Sequence, residues 1–174
     1  MANIQVNRVT NANIYMDGKS LLGRAEEVSL PVIKQMMAEH KALGMNGKFE
    51  LPAGVDKLEA KIKWNSFYAD VLAKAANPNQ AVNLQVRSSI KTWTPNGAIQ
   101  PETPVVVHMT ALFKDFPTGN FKQHDNVELE SNLTVTYCKV VVGGVEITEI
   151  DVLANIHKVN GTDILESYRQ NLGI

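Results

Sequence analysis

The segment VELESNLTVTYCKVVVGGVEITEID, Val127 to Asp151, constrains this chain more than any other. Gly143-Gly144 accepts the positive φ angles of a tight turn, and the flanking residues alternate between apolar and polar, so the segment reads as a hairpin. On its first arm Val127, Leu129, Leu133, Val135 and Tyr137 fall on one face, with Glu128, Glu130, Asn132, Thr134 and Thr136 on the other. Past the turn Val145 and Ile147 keep the alternation and Ile150 breaks it, as a bulge or a strand end does. The first arm, Val127 to Val142, has 16 residues, whereas strands in globular proteins have about 3 to 10. At about 3.4 Å per residue it spans on the order of 50 Å, further than the core of one small domain extends. Such a strand is expected to serve more than its own subunit's core.

Other stretches carry the same punctuation. Asp17-Gly18, Asn46-Gly47, Asn96-Gly97 and Asn160-Gly161 favour tight turns, several of them between alternating segments, which points to a mainly β body. In KLEAKIKW, Leu58, Ala60, Ile62 and Trp64 alternate with Lys57, Glu59, Lys61 and Lys63; in VNLQVRSSI the apolar set is Val82, Leu84 and Val86. Both are expected to be half-buried strands. The β-branched run Pro104 to Leu112 predicts a central strand covered on both sides for part of its length. The proline-rich Thr94 to Pro104 reads as an exposed loop between strands.

Two short helices are expected. One spans Ser66 to Ala76, with Phe67, Val71, Leu72 and Ala75 at helical spacing and Asn77-Pro78 as the stop. The other lies in TDILESYRQNL, with Asp163 as the cap, Glu166 completing a capping box, Ile164, Leu165, Tyr168 and Leu172 as the buried stripe, and Gly173 as the terminator. Pro31 to Leu43 reads two ways: its propensity favours helix, while the following Asn46-Gly47 turn suits an extended arm.

With 174 residues the chain suits a single domain, 1–174, that buries a core without disulfides or metals as staples. Its 17 basic and 18 acidic residues exclude a global field attracting nucleic acid or an anionic membrane. No run approaches the roughly 18 apolar residues of a membrane span, and the opening MANIQVNRVT lacks a signal pattern, so assembly in the cytoplasm is expected. The single Cys138 has no intrachain disulfide partner.

No chemistry-bearing constellation is legible. His40, His108, His124 and His157 are scattered without metal-ligand spacing. Glu128 with Glu130, and Glu146 with Glu149 and Asp151, are what the wet face of a strand carries. Cys138 lacks a neighbour to activate it. Lys57, Lys61 and Lys63 share a face interrupted by Glu59, which reads as solvated and not as a nucleic-acid groove. Neither catalytic, cofactor-binding nor metal-ligating residues are expected, and no cofactor.

Several stretches in order carry a family resemblance: NANIYMDGKSLLG, GMNGKFELPAGVDKLEAKIKW, TALFKDFPTGNFK, TYCKVVVGGVEITEID and VNGTDILESYRQNLGI. Together they resemble the major tail tube protein of contractile-tailed phages and the related R-type bacteriocins, over nearly the whole chain. The sequence departs from that pattern at Asn46-Gly47 and at Phe121. The resemblance implies a β-barrel or sandwich subunit with one or two short helices, whose long strands join a shared inner barrel in a hexameric ring. Rings stack into a hollow tube inside a contractile sheath. It implies Pro31 to Leu43 as an extended arm, with Gly44, Met45, Asn46 and Gly47 in a loop reaching neighbouring subunits. It also implies sheath, tape-measure and baseplate hub as partners, a place in the virion tail, and DNA passing through the bore without specific binding. Glu128 and Glu130, on the polar face of the long arm, are candidates to face that lumen.

The competing reading is a monomeric β-sandwich carbohydrate-binding module with Trp64, Trp93 and Tyr137 stacking on glycan. An enzyme has little support beyond the carboxylates. Self-association into rings or tubes separates the first reading from both others.

Overall fold

A computed structural model describes residues 4–174. In chain order the elements are β1 (Val6–Met16), β2 (Lys19–Ser20), β3 (Ala25–Ser29), β4 (Gln35–His40), β5 (Phe49–Val55), β6 (Leu58–Trp64), α1 (Ala69–Ala75), β7 (Val82–Thr94), β8 (Gly97–Ala98), β9 (Thr103–Phe113), β10 (Leu129–Val142), β11 (Val145–Asp151), β12 (Ile156–Val159), β13 (Thr162–Asp163) and α2 (Glu166–Leu172). No helix among the described residues is long and apolar enough to cross a membrane.

Eleven of the strands run in one antiparallel network, with the order β13-β12-β11-β10-β9-β7-β1-β2 along its main path and β8 beside β7. The first half of β10 turns its other edge to β6, which in turn pairs with β3. Leu133 to Val135 therefore have partners on both sides, Phe113 to Ala111 on β9 and Ala60 to Leu58 on β6. This shared strand holds two layers together: a long wall sheet of β1, β7, β9 and β10, and an outer layer of β3, β6 and the start of β10. The core lies between them, where Ile14, Leu58, Ile62, Trp64, Val82, Leu84, Val107, Met109, Phe113 and Leu133 are buried. The strict alternation in β6 explains its placement, since Leu58, Ala60, Ile62 and Trp64 all enter the core and the charged set stays outside. Trp64 donates its indole N–H to Ser131 Oγ at 3.0 Å, which satisfies the buried polar residue Ser131. Central β9 is buried on one face and half-buried on the other, close to the expectation from its β-branched run.

The long hairpin departs from simple alternation at two bulges. Val135 pairs with Ala111 and Tyr137 with Thr110, so Thr136 is an extra residue and the phase flips there. Cys138 thereby enters the core at 2% exposure, and Tyr137 sits on the opposite face, not on the apolar one that unbroken alternation predicts. A second bulge at Ile147, between the pairs Val140 with Thr148 and Val141 with Glu146, brings Ile150 into the core. The strand begins at Leu129, which makes the arm 14 residues long; Val127 and Glu128 precede it. The turns at Asp17-Gly18, Gly143-Gly144 and Asn160-Gly161 each have positive φ at both residues, the geometry that matches the twist of a two-residue hairpin.

The helices are shorter than expected and less buried. In α1 Val71 and Ala75 are buried, whereas Phe67 precedes the helix and stacks on Phe121 with centroids 5.7 Å apart. In α2 Gly173 adopts φ 72 and ends the helix as expected, but the capping box does not form. The N-cap is Leu165; Asp163 accepts its N–H at 3.0 Å and pairs with Arg169 at 2.6 Å. The expected buried stripe is not buried within this subunit: Ile164, Tyr168 and Leu172 are more than half exposed and only Leu165 is half-buried. Arg169 also donates to Asn155 O at 2.8 Å, so polar contacts tether α2.

Within residues 31–43 the structure has the strand β4 (Gln35–His40) and no helix, which agrees with the extended arm that the resemblance implies and goes against helix propensity. β4 pairs with β5 in a separate two-stranded sheet whose residues are exposed except for Val55. A helix here would have no surface to bury its apolar face against, while the hairpin at least pairs its backbone.

Candidate functional site: the wall sheet and its surfaces

The wall sheet outruns its own core. In β7 Val82, Leu84 and Val86 are buried, but the strand continues to Thr94 with no further buried residue. In β1 only Ile14 and Met16 are buried, and Val6 to Ala12 are exposed. These strands, of 11, 13, 11 and 14 residues for β1, β7, β9 and β10, exceed the usual length of about 5 or 6. The excess lies at the end where β1 and β7 pair through Val6 with Trp93 and Val9 with Ile90.

The wall face turned away from the core is polar. The strand registers align Tyr15, Gln85, His108, Lys139, Glu149 and Lys158 in one row across six strands. The Arg87 guanidinium lies over the Tyr15 ring, 5.7 Å from its centroid. Lys139 pairs with Glu146 at 2.6 Å, and Glu149 accepts from Lys158 at 2.7 Å and from the Tyr137 hydroxyl at 2.8 Å. The Lys158 hydrogen bond holds Glu149 below the usual carboxylate range, and the same contact raises Lys158. Burial, then the bond to Glu149, pushes the Tyr137 phenol up. Lys139 and Lys158 on this face are thus each matched by a carboxylate, whereas Arg87 rests on an aromatic ring.

The outer layer carries a second ladder of charges. Lys63 lies between Glu26 at 3.2 Å and Glu128 at 3.0 Å, Lys61 pairs with Glu130 at 3.1 Å, and Glu59 lies between Lys57 at 3.2 Å and Lys114 at 2.5 Å. The hydrogen bond from Lys114, then that from Lys57, lowers the pKa of Glu59; the one to Glu128, then that to Glu26, raises that of Lys63. Glu128 and Glu130 therefore sit beside the solvated lysines of β6, each with a cation already in place. Gly44, Met45, Asn46 and Gly47 form the tip of the exposed β4–β5 hairpin, next to a fully exposed Leu43.

The remaining candidates do not converge. Trp64 is in the core, Trp93 lies at the far end of β7 under Lys91, and the Tyr137 hydroxyl is engaged by Glu149, so the three aromatics make no common platform. Among the described residues no three His, Cys, Asp or Glu side chains come close enough to hold a metal ion. Burial pushes the Cys138 thiol up to about 11, which keeps it unreactive. Sequence reasoning missed the polar row of the wall. Its signal was the second face of VNLQVRSSI, where Asn83, Gln85 and Arg87 alternate with the core residues.

Comparisons with known proteins agree with this architecture. A family model described as phage tail tube protein FII matches residues 6–173. The tail tube protein of Escherichia phage P2 is 30% identical over 166 residues, covering 93% of this chain and 94% of that protein. The major tail tube protein of Serratia phage KSP20 is 22% identical over 153 residues, 87% of this chain and 86% of that one. In fold the chain is similar to a chain of the sheath-tube complex of an extracellular contractile injection system, PVC, in its extended state, with TM-score 0.54, 12% identity, and coverage of 75% and 86%. A chain of the sheath/tube terminator of the same system gives TM-score 0.53 at 12% identity, with coverage of 75% and 91%.

Proposed function

We propose, from the premise that this chain belongs to the phage tail tube protein FII family and is a structural subunit of a virion tail tube, that six copies close side by side into a ring. Rings stack into a hollow conduit inside a contractile sheath. The whole chain, 1–174, acts as one tail-tube domain. The observation that carries this reading is the overshoot of the wall strands beyond the core. Unpaired strand ends are a liability in a lone subunit, and closure into a barrel removes them. The exposed β4–β5 hairpin, tipped by Gly44 to Gly47, is the arm that reaches a neighbouring subunit, and its bare Met36, Met37, Phe49 and Leu51 are the surface it buries there.

The role is mechanical, and no bond chemistry is assigned to it. Sheath, baseplate hub and tape-measure protein are the partners this role requires, and DNA or another cargo passes the bore without specific binding. Two faces compete to line the lumen. The polar side of the long-strand wall, with Gln85, His108 and Thr110, is favoured by strand length. The outer-layer ladder with Glu128 and Glu130 is favoured by its carboxylates, which repel phosphate.

Negative-stain electron microscopy of purified protein, with and without a baseplate seed, tests the ring. Hollow tubes with six-fold end views are expected; monomers persisting with a seed present would overturn it. Tubes carrying Gln85→Lys with Thr110→Lys, compared with tubes carrying Glu128→Lys with Glu130→Lys, test the lumen. Slowed DNA ejection in one set and not the other identifies the face that DNA meets.

A further inference from the structure

We propose that Met36 is an oxidation site through which a peroxide disables the free subunit for assembly, because its sulfoxide spoils the apolar face that the β4–β5 arm buries against another copy. This rests on the reading of the arm given above. Methionine sulfur is sharply partitioned in this chain. Met16 and Met109 are 6% and 2% exposed in the core, whereas Met36, Met37 and Met45, all in the arm, are 48%, 48% and 43% exposed. The single cysteine, Cys138, is buried. Among the described residues, a peroxide therefore reaches sulfur in the arm and nowhere else.

The arm has two unlike faces. Strand alternation places Met36, Ala38 and His40 on one of them, with Leu51 opposite Ala38 and Phe49 opposite His40. The His40 and Phe49 rings meet edge to face with centroids 5.4 Å apart. Met36 reaches across to its partner Gly54, where its Cε lies 3.5 Å from the position a Cβ would take. Leu51 and Phe49 are exposed, so this face is a bare apolar surface in the free subunit. Met37 falls on the other face with Glu39 and, opposite it, Glu50; there Lys48 pairs with Glu39 at 2.6 Å. Met45 stands in the turn, where its N–H is donated to Ala42 O at 3.2 Å.

Oxygen transfer to an exposed thioether needs no activation by the protein. The sulfur lone pair attacks one oxygen of the peroxide, the O–O bond breaks, and a sulfoxide and water form; sulfur loses two electrons and the peroxide gains them. A soft, apolar side chain becomes a polar acceptor. On the Met36 face that acceptor has to be desolvated beside Ala38, Leu51 and Phe49, none of whose side chains can donate to it. On the Met37 face it joins charged neighbours, and in the turn it joins exposed polar ones, so the same added oxygen costs little at either place. The fold is untouched, because the core sulfurs are out of reach and the arm forms a sheet of its own. The sensitivity therefore belongs to the subunit before assembly, and it is reversible by methionine sulfoxide reductases.

In the test the full chain is treated with hydrogen peroxide, quenched and assembled on a baseplate seed, with sedimentable tube as the readout and peptide mass spectrometry locating the added oxygen. One oxygen is expected at each of Met36, Met37 and Met45 and none at Met16 or Met109. Tube yield should fall at least tenfold and return after treatment with sulfoxide reductases. Met37→Leu with Met45→Leu should lose yield like the parent, whereas Met36→Leu should stay within about twofold of its untreated yield. An oxidised parent that assembles normally, or a Met36→Leu variant that loses as much as the parent, would overturn the inference. Preformed tubes give a second readout: Met36 should oxidise at least tenfold more slowly in them than in the free subunit, and equal rates would refute the burial of that face. Tubes formed by a variant lacking residues 35–53 would instead defeat the reading of the arm on which the inference depends.

Discussion

Single residues in this subunit hold turns and corners that the long strands cannot hold themselves. Gly119 adopts φ 75, and a Cβ there would come within 2.8 Å of both Leu129 Cδ2 and Val127 Cγ1. Leu129 is 2% exposed and has no room to retreat. Gly119→Ala is expected to cost about 1–3 kcal/mol by strain and overlap, seen as a lower urea midpoint at unchanged slope. Asp17 ties the first hairpin to β7, accepting the Asn83 N–H at 3.0 Å and pairing with Lys74 at 3.1 Å. The Asn83 hydrogen bond, then the Lys74 contacts, hold its carboxyl below the usual range. A depressed folded-state pKa contributes stability above the unfolded value, about 4, that is lost as pH falls through the folded one. The advantage of the parent over Asp17→Asn should therefore be full at neutral pH and shrink as pH drops below about 4, measured by denaturant titration at a series of pH values.

At the scale of elements, the β4–β5 hairpin is separable from the rest. It forms its own two-stranded sheet, and its residues add little to the core beyond Val55 at its base. Replacing residues 35–53 with a short Gly-Ser linker is expected to leave the thermal midpoint within a few degrees while abolishing tube formation; a collapse of the midpoint would assign the hairpin a folding role. The hairpin also shows what sequence can say. β6 and the start of β7 were legible because one face of each is buried inside the subunit, so burial printed a period of two on the residues. The exposed arm left no such print, and its extended state followed only from the family resemblance. Bulges at Thr136 and Ile147 were half legible: Ile150 betrayed one by breaking phase, but Tyr137 concealed the other because an aromatic suits either face. The stripe on α2 illustrates the opposite error, since periodicity reports that a face is apolar and not which molecule covers it.

For the whole molecule, the same distinction separates what folds from what assembles. The buried residues sit between the two layers, and the ends of β1 and β7 extend past them into solvent. Backbone amides of Val6 to Val9 and Ile90 to Thr94 should exchange with deuterium far faster than those of Val82 to Val86 in the free subunit, and become protected in tubes. Equal protection in both states would show that the overhang is already rigid alone. The placement of β10 in both layers has a further consequence for how such an object bears load. Leu133 to Val135 are bonded to β6 on one side and β9 on the other, so a twist applied to one layer passes to the other through backbone hydrogen bonds, without crossing a loop. A tube built this way behaves as a double-skinned shaft with its ribs cast in, stiff in torsion, and its weakest points under thrust are the joints between copies.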